Sequence, residues 1–288
     1  MLLKYGARVP LDSIVFLMNH QYSISISKGG IIHILQRTKK WFGTEYEKIK
    51  QAIRASPIKY ADETGWRIEG VNNWIWAFLS KDAVCYQIEE TRGKGVPHEF
   101  FKDSNRNDVI IHDDYPAYKN LKLNHQSCWA HLLRKSHETV VQPHASNHMK
   151  KLHKKLKKMY RVLDRETHRP FVQQKRQQVF DTLLKEITSI STTDYPADAQ
   201  GIQTRVRNQH KNLLTALLYE GVPLTNNHAE RTIRPLVVTR KISGGSRSYK
   251  GARTHMVNMS IFQTIKLKNQ PLIPTLKDFL LTGATGEN

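Results

Sequence analysis

A chain of 288 residues is long enough to bury a core of its own, and 39% hydrophobic residues with five Trp and eleven Tyr exclude a disordered composition. No apolar run reaches the ~20 residues of a bilayer-spanning helix, no signal-peptide core opens the chain, and two cysteines, Cys85 and Cys128, exclude a disulfide framework, so a cytoplasmic protein is expected. Against 25 acidic residues stand 45 Lys and Arg, a formal charge of +20 that calls for a polyanionic partner, most naturally nucleic acid, whose condensed counterions are released on binding.

Residues 1–57 read as helical. Leu11 to Asn19 is apolar-rich, and Ser25 or Ser27 can cap a helix carrying Ile31, Ile32, Ile34 and Leu35 to Trp41. Two short helices about a Ser/Gly turn fit either a helix-turn-helix or a plain packing pair. From Ile58 the pattern turns to strands: a short one ending at Asp62, alternation from Thr64 to Glu69, and a turn at Gly70–Asn73. Next come the run Trp74–Leu79, a turn at Lys81–Asp82, and Ala83–Ile88. This is an antiparallel meander. A helix is predicted near Val96–Phe101, a buried strand over Asp108–Asp113, a short helix over Tyr115–Leu121, and a fifth strand over His125–Trp129.

That order predicts an α+β fold of ribonuclease H-like type, a mixed five-stranded sheet with flanking helices, although other α+β folds share it. Residues 131 to about 220 carry almost no strand signal. Met149, Leu152, Leu156 and Tyr160 repeat at helical spacing among Lys150, Lys151, Lys154, Lys155, Lys157, Lys158 and Arg161, and a second helix is expected over Phe171–Ile190. The predicted organisation is an N-terminal helical region (1–57), a first catalytic segment (58–134), a basic helical insertion (135–222) and a C-terminal catalytic segment (223–288). The last opens with a helix at Asn226–Arg231 that Pro235 should kink or end. Met256–Leu281 reads as amphipathic, broken at Pro271 and Pro274.

Phosphodiester chemistry with two metal ions needs carboxylates from separate elements. Asp62 lies at the end of the first strand, Asp113 at the end of the fourth, and Glu230 on a later helix. Glu63 and Asp114 compete with their neighbours, because adjacent strand residues face opposite ways. Asn227 and Glu230 also form a capping-box pattern, which would occupy the glutamate locally. Cys128-x-x-His131 is half a zinc pattern, with His144 and His148 as conceivable partners; a buried thiol and a polar group near the active-site rim is the preferred reading. Arg231, Arg234, Arg240 and Lys241, together with Lys151, Lys155 and Lys158, are candidate phosphate contacts, and Gly244–Gly251 is a flexible basic loop. His131 and Asn227 are candidate accessory residues. Trp66, Trp74, Trp76 and Trp129 are most simply core.

The runs Ala61-Asp62-Glu63-Thr64-Gly65-Trp66, Asn73-Trp74-Ile75-Trp76, Asp113-Asp114-Tyr115-Pro116-Ala117-Tyr118, Cys128-Trp129-Ala130-His131 and Asn226-Asn227-His228-Ala229-Glu230-Arg231 occur in that order, followed by Arg240-Lys241. Together, over roughly Ser25 to Leu281, they closely resemble transposases of the insertion-sequence sixty-six family. The resemblance implies a DDE triad at Asp62, Asp113 and Glu230, two Mg²⁺ or Mn²⁺ ions, cleavage at transposon ends and strand transfer into target DNA. It also implies a prokaryotic, nucleoid-associated protein acting as a homodimer or higher oligomer, with accessory transposition proteins as possible partners. A ribonuclease H-like nuclease without strand transfer, and a non-catalytic DNA-binding relative, are the alternatives. Members of that family are usually longer, with N-terminal DNA-binding and metal-binding segments. End recognition here is therefore expected from residues 1–57 and the basic insertion, or from a missing partner.

Overall fold

Glu69 and Gly70 both adopt positive φ, 53° and 81°, the backbone of a two-residue hairpin turn whose twist matches the strands it joins. They connect β1 (Ile58–Ile68) to β2 (Val71–Leu79), paired antiparallel from Ile68 with Val71 back to Tyr60 with Leu79. β3 (Val84–Glu89) adds on the far side of β2, antiparallel again. The predicted meander forms, with one change: β1 does not stop at Asp62 but continues six residues further. Pairing of Glu63 and Gly65 with Trp76 and Trp74 carries these two poor strand formers along. The turn accordingly sits at Glu69–Gly70 rather than over Gly70–Asn73.

The computed structural model describes residues 1–285 and divides into two units, Met1–Ser104 with the chain from His228 onward, and Asn105–Asn227. In the first unit, α1 (Leu11–Gln21), α2 (Lys28–Trp41) and α3 (Gly43–Ala55) precede the strands, after a π-helical turn over Leu2–Gly6. Ser27 is the cap of α2, its hydroxyl accepting from the Gly30 amide at 3.0 Å. α4 (Gly95–Phe101) follows β3 and stacks Phe100 on Phe78.

α9 (Asn227–Ser243), α10 (Tyr249–Leu267) and α11 (Leu272–Thr285) complete this unit. α10 is buried on every side from Thr254 to Ile265, and the amphipathic expectation fails there. It lies along the edge of β3. The Val84 and Tyr86 amides, which an edge strand leaves without partners, donate to the Thr264 and Ser260 hydroxyls at 3.1 and 2.9 Å. Polar residues on the strand-facing side of this helix therefore belong in the core. The break falls at Pro271 as expected, whereas Pro274 lies within the first turn of α11, where a proline costs no intrahelical bond, and does not interrupt it.

α9 also departs from expectation, since it runs through Pro235 to Ser243. A helical proline removes one backbone bond and crowds the carbonyls a turn earlier. Here the buried Tyr86 hydroxyl donates to the Thr232 carbonyl at 2.5 Å, supplying a partner beside the break. After α9, Gly244 and Gly245 take φ of 70° and 120°, and Ser246 bridges to Ile68, its amide donating to Arg67 O at 2.8 Å. A Cβ on Gly245 would lie 2.2 Å from that Arg67 oxygen. Gly245→Ala should therefore lower unfolding free energy by about 2–3 kcal/mol in urea titrations, strain and lost bridge together.

In the second unit, β4 (Val109–His112) and β5 (Asn124–Ser127) pair in parallel, joined through a 3₁₀ turn at Pro116–Tyr118. β5 ends at Ser127, earlier than expected, because Trp129 opens α5 (Trp129–Val140) and its indole donates to Leu213 O at 2.6 Å. α6 (Asn147–Thr167) buries Met149, Leu152, Leu156, Met159 and Leu163, leaving most of its lysines toward solvent. α7 (Gln173–Thr192) packs on α6 and on α8 (Ala197–Gln209), a helix the sequence pattern did not single out. The chain is thus α+β, with five strands of both senses and eleven α-helices among the described residues. None of the described helices is long and apolar enough to cross a membrane.

Candidate active site

Each strand-borne candidate arrives as an acidic doublet, and alternation alone leaves open which member faces a substrate. Local pairing separates them. In the first unit Asp62 sits mid-strand on β1 opposite Ala77, half-buried, its Oδ1 accepting from the Glu63 amide at 2.9 Å. Glu63 points to the opposite face with a side chain 1% exposed. Its Oε1 accepts from Arg92 Nε at 3.0 Å and from a terminal nitrogen of the same guanidinium at 2.5 Å. Arg92 in turn lies over the Trp74 ring, 4.7 Å from its centroid. Trp74 is therefore a half-exposed platform for this cation, whereas Trp66, Trp76 and Trp129 are core as expected. A carboxylate buried against a guanidinium in this way holds the sheet together.

The second unit repeats the arrangement. Asp113 lies one residue past β4 rather than in it, and its Oδ1 accepts from the Tyr115 amide at 3.1 Å, an Asx turn. Asp114 takes a left-handed φ of 69°, which a non-glycine residue adopts only when its surroundings hold it there. Arg205 of α8 does so: Nε and a terminal nitrogen reach Asp114 Oδ2 at 3.2 and 3.1 Å, and that nitrogen also donates to Asp113 O at 3.0 Å. Arg205→Ala would leave the Asp114 carboxylate buried without its cation. A loss of about 2 kcal/mol in thermal or urea unfolding is expected, with Arg205→Lys recovering only part because a single ammonium cannot reproduce the fork.

The buried imidazole of His112 and the half-buried one of His125 back this turn. The Asp114 amide donates to His112 Nδ1 at 3.1 Å, His112 Nε2 meets His125 Nδ1 at 2.8 Å, and His125 Nε2 meets the Leu121 carbonyl at 3.1 Å. That chain is complete only if both rings are neutral with their protons on Nε2. Burial pushes both pKa values down, that of His112 well below the ordinary range, and for His112 the neighbouring ring adds to the effect. Neutral rings are the result. Arg92, Arg205 and this histidine pair escaped sequence reasoning. The available signal was the doublets themselves, since two adjacent acids in a core need a cation for at least one.

Glu230 lies in the first turn of α9, half-buried. The helix begins at Asn227, so Asn226 rather than Asn227 precedes it. Asn227 is exposed, and His228 Nε2 meets Ser80 O at 3.0 Å. Asp62 and Glu230 thus belong to the first unit and Asp113 to the second. Asp62, Asp113 and Glu230 are hard oxygen donors of the type that Mg²⁺ or Mn²⁺ prefers, and the acids adjacent to two of them are committed to guanidinium groups.

The candidate phosphate contacts divide in the same manner. Arg231, Arg234 and Lys241 are exposed on α9, but Arg240 is half-buried and spans back to β1, donating to Thr64 Oγ1 at 3.2 Å and to the Gly65 carbonyl. On α6, Lys151 and Lys158 are exposed, while Lys155 is half-buried and bonds the Ser189 hydroxyl at 2.8 Å. Arg240 and Lys155 have local structural partners. Cys128 is a buried thiol in no disulfide, its sulfur accepting from the Asn226 amide at 3.2 Å. His131 is half-buried on α5, and His144 and His148 are exposed.

The sequence model of the transposase IS66 family matches residues 1–254. The uncharacterized protein y4qI of Sinorhizobium fredii is 25% identical over 276 residues, an alignment covering 83% of this chain and 49% of that protein. The chain spans about half the length of the curated relative it matches.

Proposed function

The chain belongs to the transposase IS66 family, and from that membership we propose that it is a DDE enzyme that cleaves DNA at transposon ends and joins the freed ends to target DNA. The observation that carries this reading is the sorting of the acidic doublets. Glu63 and Asp114 are neutralised by Arg92 and Arg205, and Asp62 and Asp113 are the members of each doublet that the family resemblance implies for the triad. Glu230 is the third acid, and the antiparallel trio followed by a parallel pair supports a ribonuclease H-like catalytic fold.

Asp62, Asp113 and Glu230 would hold two Mg²⁺ or Mn²⁺ ions, which when bound supply Lewis-acid activation of water and of the scissile phosphate. β1 holds the Asp62 backbone through its pairing with β2, and the Glu63 amide holds its Oδ1. The Asx turn at Asp113 fixes one of its carboxylate oxygens. Arg205 keeps the turn from relaxing by gripping both its side chain and its backbone. Exposed Arg231, Arg234, Lys241, Lys151 and Lys158 would neutralise strand phosphates without reading sequence. Residues 1–57 and the helices of the second unit would contribute to binding transposon ends, with the protein acting as an oligomer.

The test uses labelled DNA spanning the ends of the encoding element, intact or pre-cut, with Mg²⁺ or Mn²⁺. Nicked intact substrate together with joined products from pre-cut ends supports the proposal. Cleavage without joining makes the chain a nuclease, and binding without either reaction makes it a non-catalytic relative.

A further inference from the structure

A cavity of about 470 Å³ in the first unit is lined from the N-terminal segment, α2, the loop after α9 and the first turns of α10. Its described lining contains four cations, Lys4, Arg8, Lys28 and Arg247, and one carboxylate, Asp12, which is already paired with Lys28. Among the described residues, Lys4, Arg8 and Arg247 pair with no carboxylate that lines the cavity. A half-buried ammonium without a counter-ion is unfavourable, and burial lowers the Lys4 pKa accordingly.

Two further features point to an anion. The N-terminal turn of the 19-residue helix α10 opens onto the cavity at Ser248 and Gly251, presenting the positive end of its dipole. His255, 8% exposed, also lines the cavity, its ring stacked on Trp66 and tilted against Tyr5, and its Nε2 is buried without a hydrogen-bond partner. Leu11, Ile32 and Leu35 add apolar surface to the same lining. Inorganic phosphate would leave that surface wet, whereas a nucleotide would cover it with its base and sugar.

We propose that this cavity is a binding site for a nucleotide, holding its phosphate between Lys4, Arg8, Arg247 and the first turn of α10, and that it is separate from the carboxylate site. The Lys4 ammonium and the two guanidinium groups supply charge, and His255 Nε2 supplies a hydrogen-bonding group for the bound phosphate. Charge-assisted bonds of this type account for most of the affinity expected at a phosphate site.

The experiment titrates the full chain in EDTA with dAMP, deoxyadenosine, inorganic phosphate and a short 5′-phosphorylated single strand, following heat and the ¹⁵N signals of the His255 ring. Expected are saturable binding of dAMP, a His255 shift on binding, at least tenfold weaker binding of deoxyadenosine and of inorganic phosphate, and a tenfold or greater loss in Lys4→Gln/Arg247→Gln. Competition of the phosphorylated strand for dAMP identifies a strand end as the source, and its failure to compete assigns the site to free nucleotides; both outcomes retain the nucleotide site. No saturable dAMP binding, equal binding of the nucleoside, or an unmoved His255 signal overturns the proposal. The ring signal in the unsubstituted chain decides the matter even if the double variant unfolds. EDTA keeps any failure of the carboxylate site from bearing on the result.

Discussion

Asp113→Asn is expected to reduce metal-dependent cleavage of transposon-end DNA by at least about a thousandfold, and Asp62→Asn to do the same, because each removes a charged oxygen ligand whose role no water can fill. The neighbouring acids provide the comparison. Glu63→Gln and Asp114→Asn should leave cleavage within about tenfold when assayed well below their melting temperatures. Both should melt earlier than the unsubstituted chain, because a neutral amide replaces the carboxylate partner of Arg92 or Arg205. Titration of Mn²⁺ adds a readout independent of turnover: the first pair of variants should weaken binding strongly, the second pair little. If Glu63→Gln or Asp114→Asn loses cleavage while folded, and Asp62→Asn or Asp113→Asn does not, the assignment is reversed.

Acid should destabilise the first unit through His255. Its ring is buried on α10 between Trp66 and Tyr5, and burial first, then the Lys4 charge, lowers its pKa from 6.5 to about 3. Because the folded-state pKa is depressed, the neutral ring is common to both states above pH 6.5, and the site contributes no pH dependence there. Below 6.5 the unfolded chain takes up a proton that the folded chain refuses. Unfolding free energy therefore falls by up to about 1.4 kcal/mol per pH unit, levelling off near pH 3 after a total of roughly 4–5 kcal/mol. Urea titrations at pH 7, 5.5 and 4 measure the slope. His255→Phe, which keeps a ring among the aromatics, should flatten it by about one proton's worth, and an unchanged slope would place the acid sensitivity elsewhere.

The elements that were legible in the sequence are those whose burial follows a simple local period. The Trp74–Leu79 run, the Val109–Ile111 core of β4 and the lysine-flanked apolar stripe of α6 form as predicted because one face or both are buried along their whole length. Where contacts from distant residues supplied the missing term, the reading fell short. Asp62–Gly65 is strand because β2 pairs with it. α10 is wholly buried because its hydroxyls take over the amides of an edge strand, and α9 continues past Pro235 where a tyrosine hydroxyl meets the Thr232 carbonyl. α8 was missed since its apolar residues Ala199, Ile202 and Val206 are few and small.

Family membership was readable from ordered motifs alone, because motif residues answer to chemistry and stay recognisable without a fold around them. The sequence likewise named the six acids and amides from which a site could be drawn. Strand alternation by itself could not choose between Asp62 and Glu63, or between Asp113 and Asp114, since adjacent carboxylates are chemically alike until a cation arrives beside one of them; it was the resemblance that named Asp62 and Asp113. Arg92 lies 29 residues from Glu63 and Arg205 lies 91 residues from Asp114. Only the folded chain brings those charges within bonding distance, and Coulombic attraction at that range ties Glu63 and Asp114 to their scaffolds.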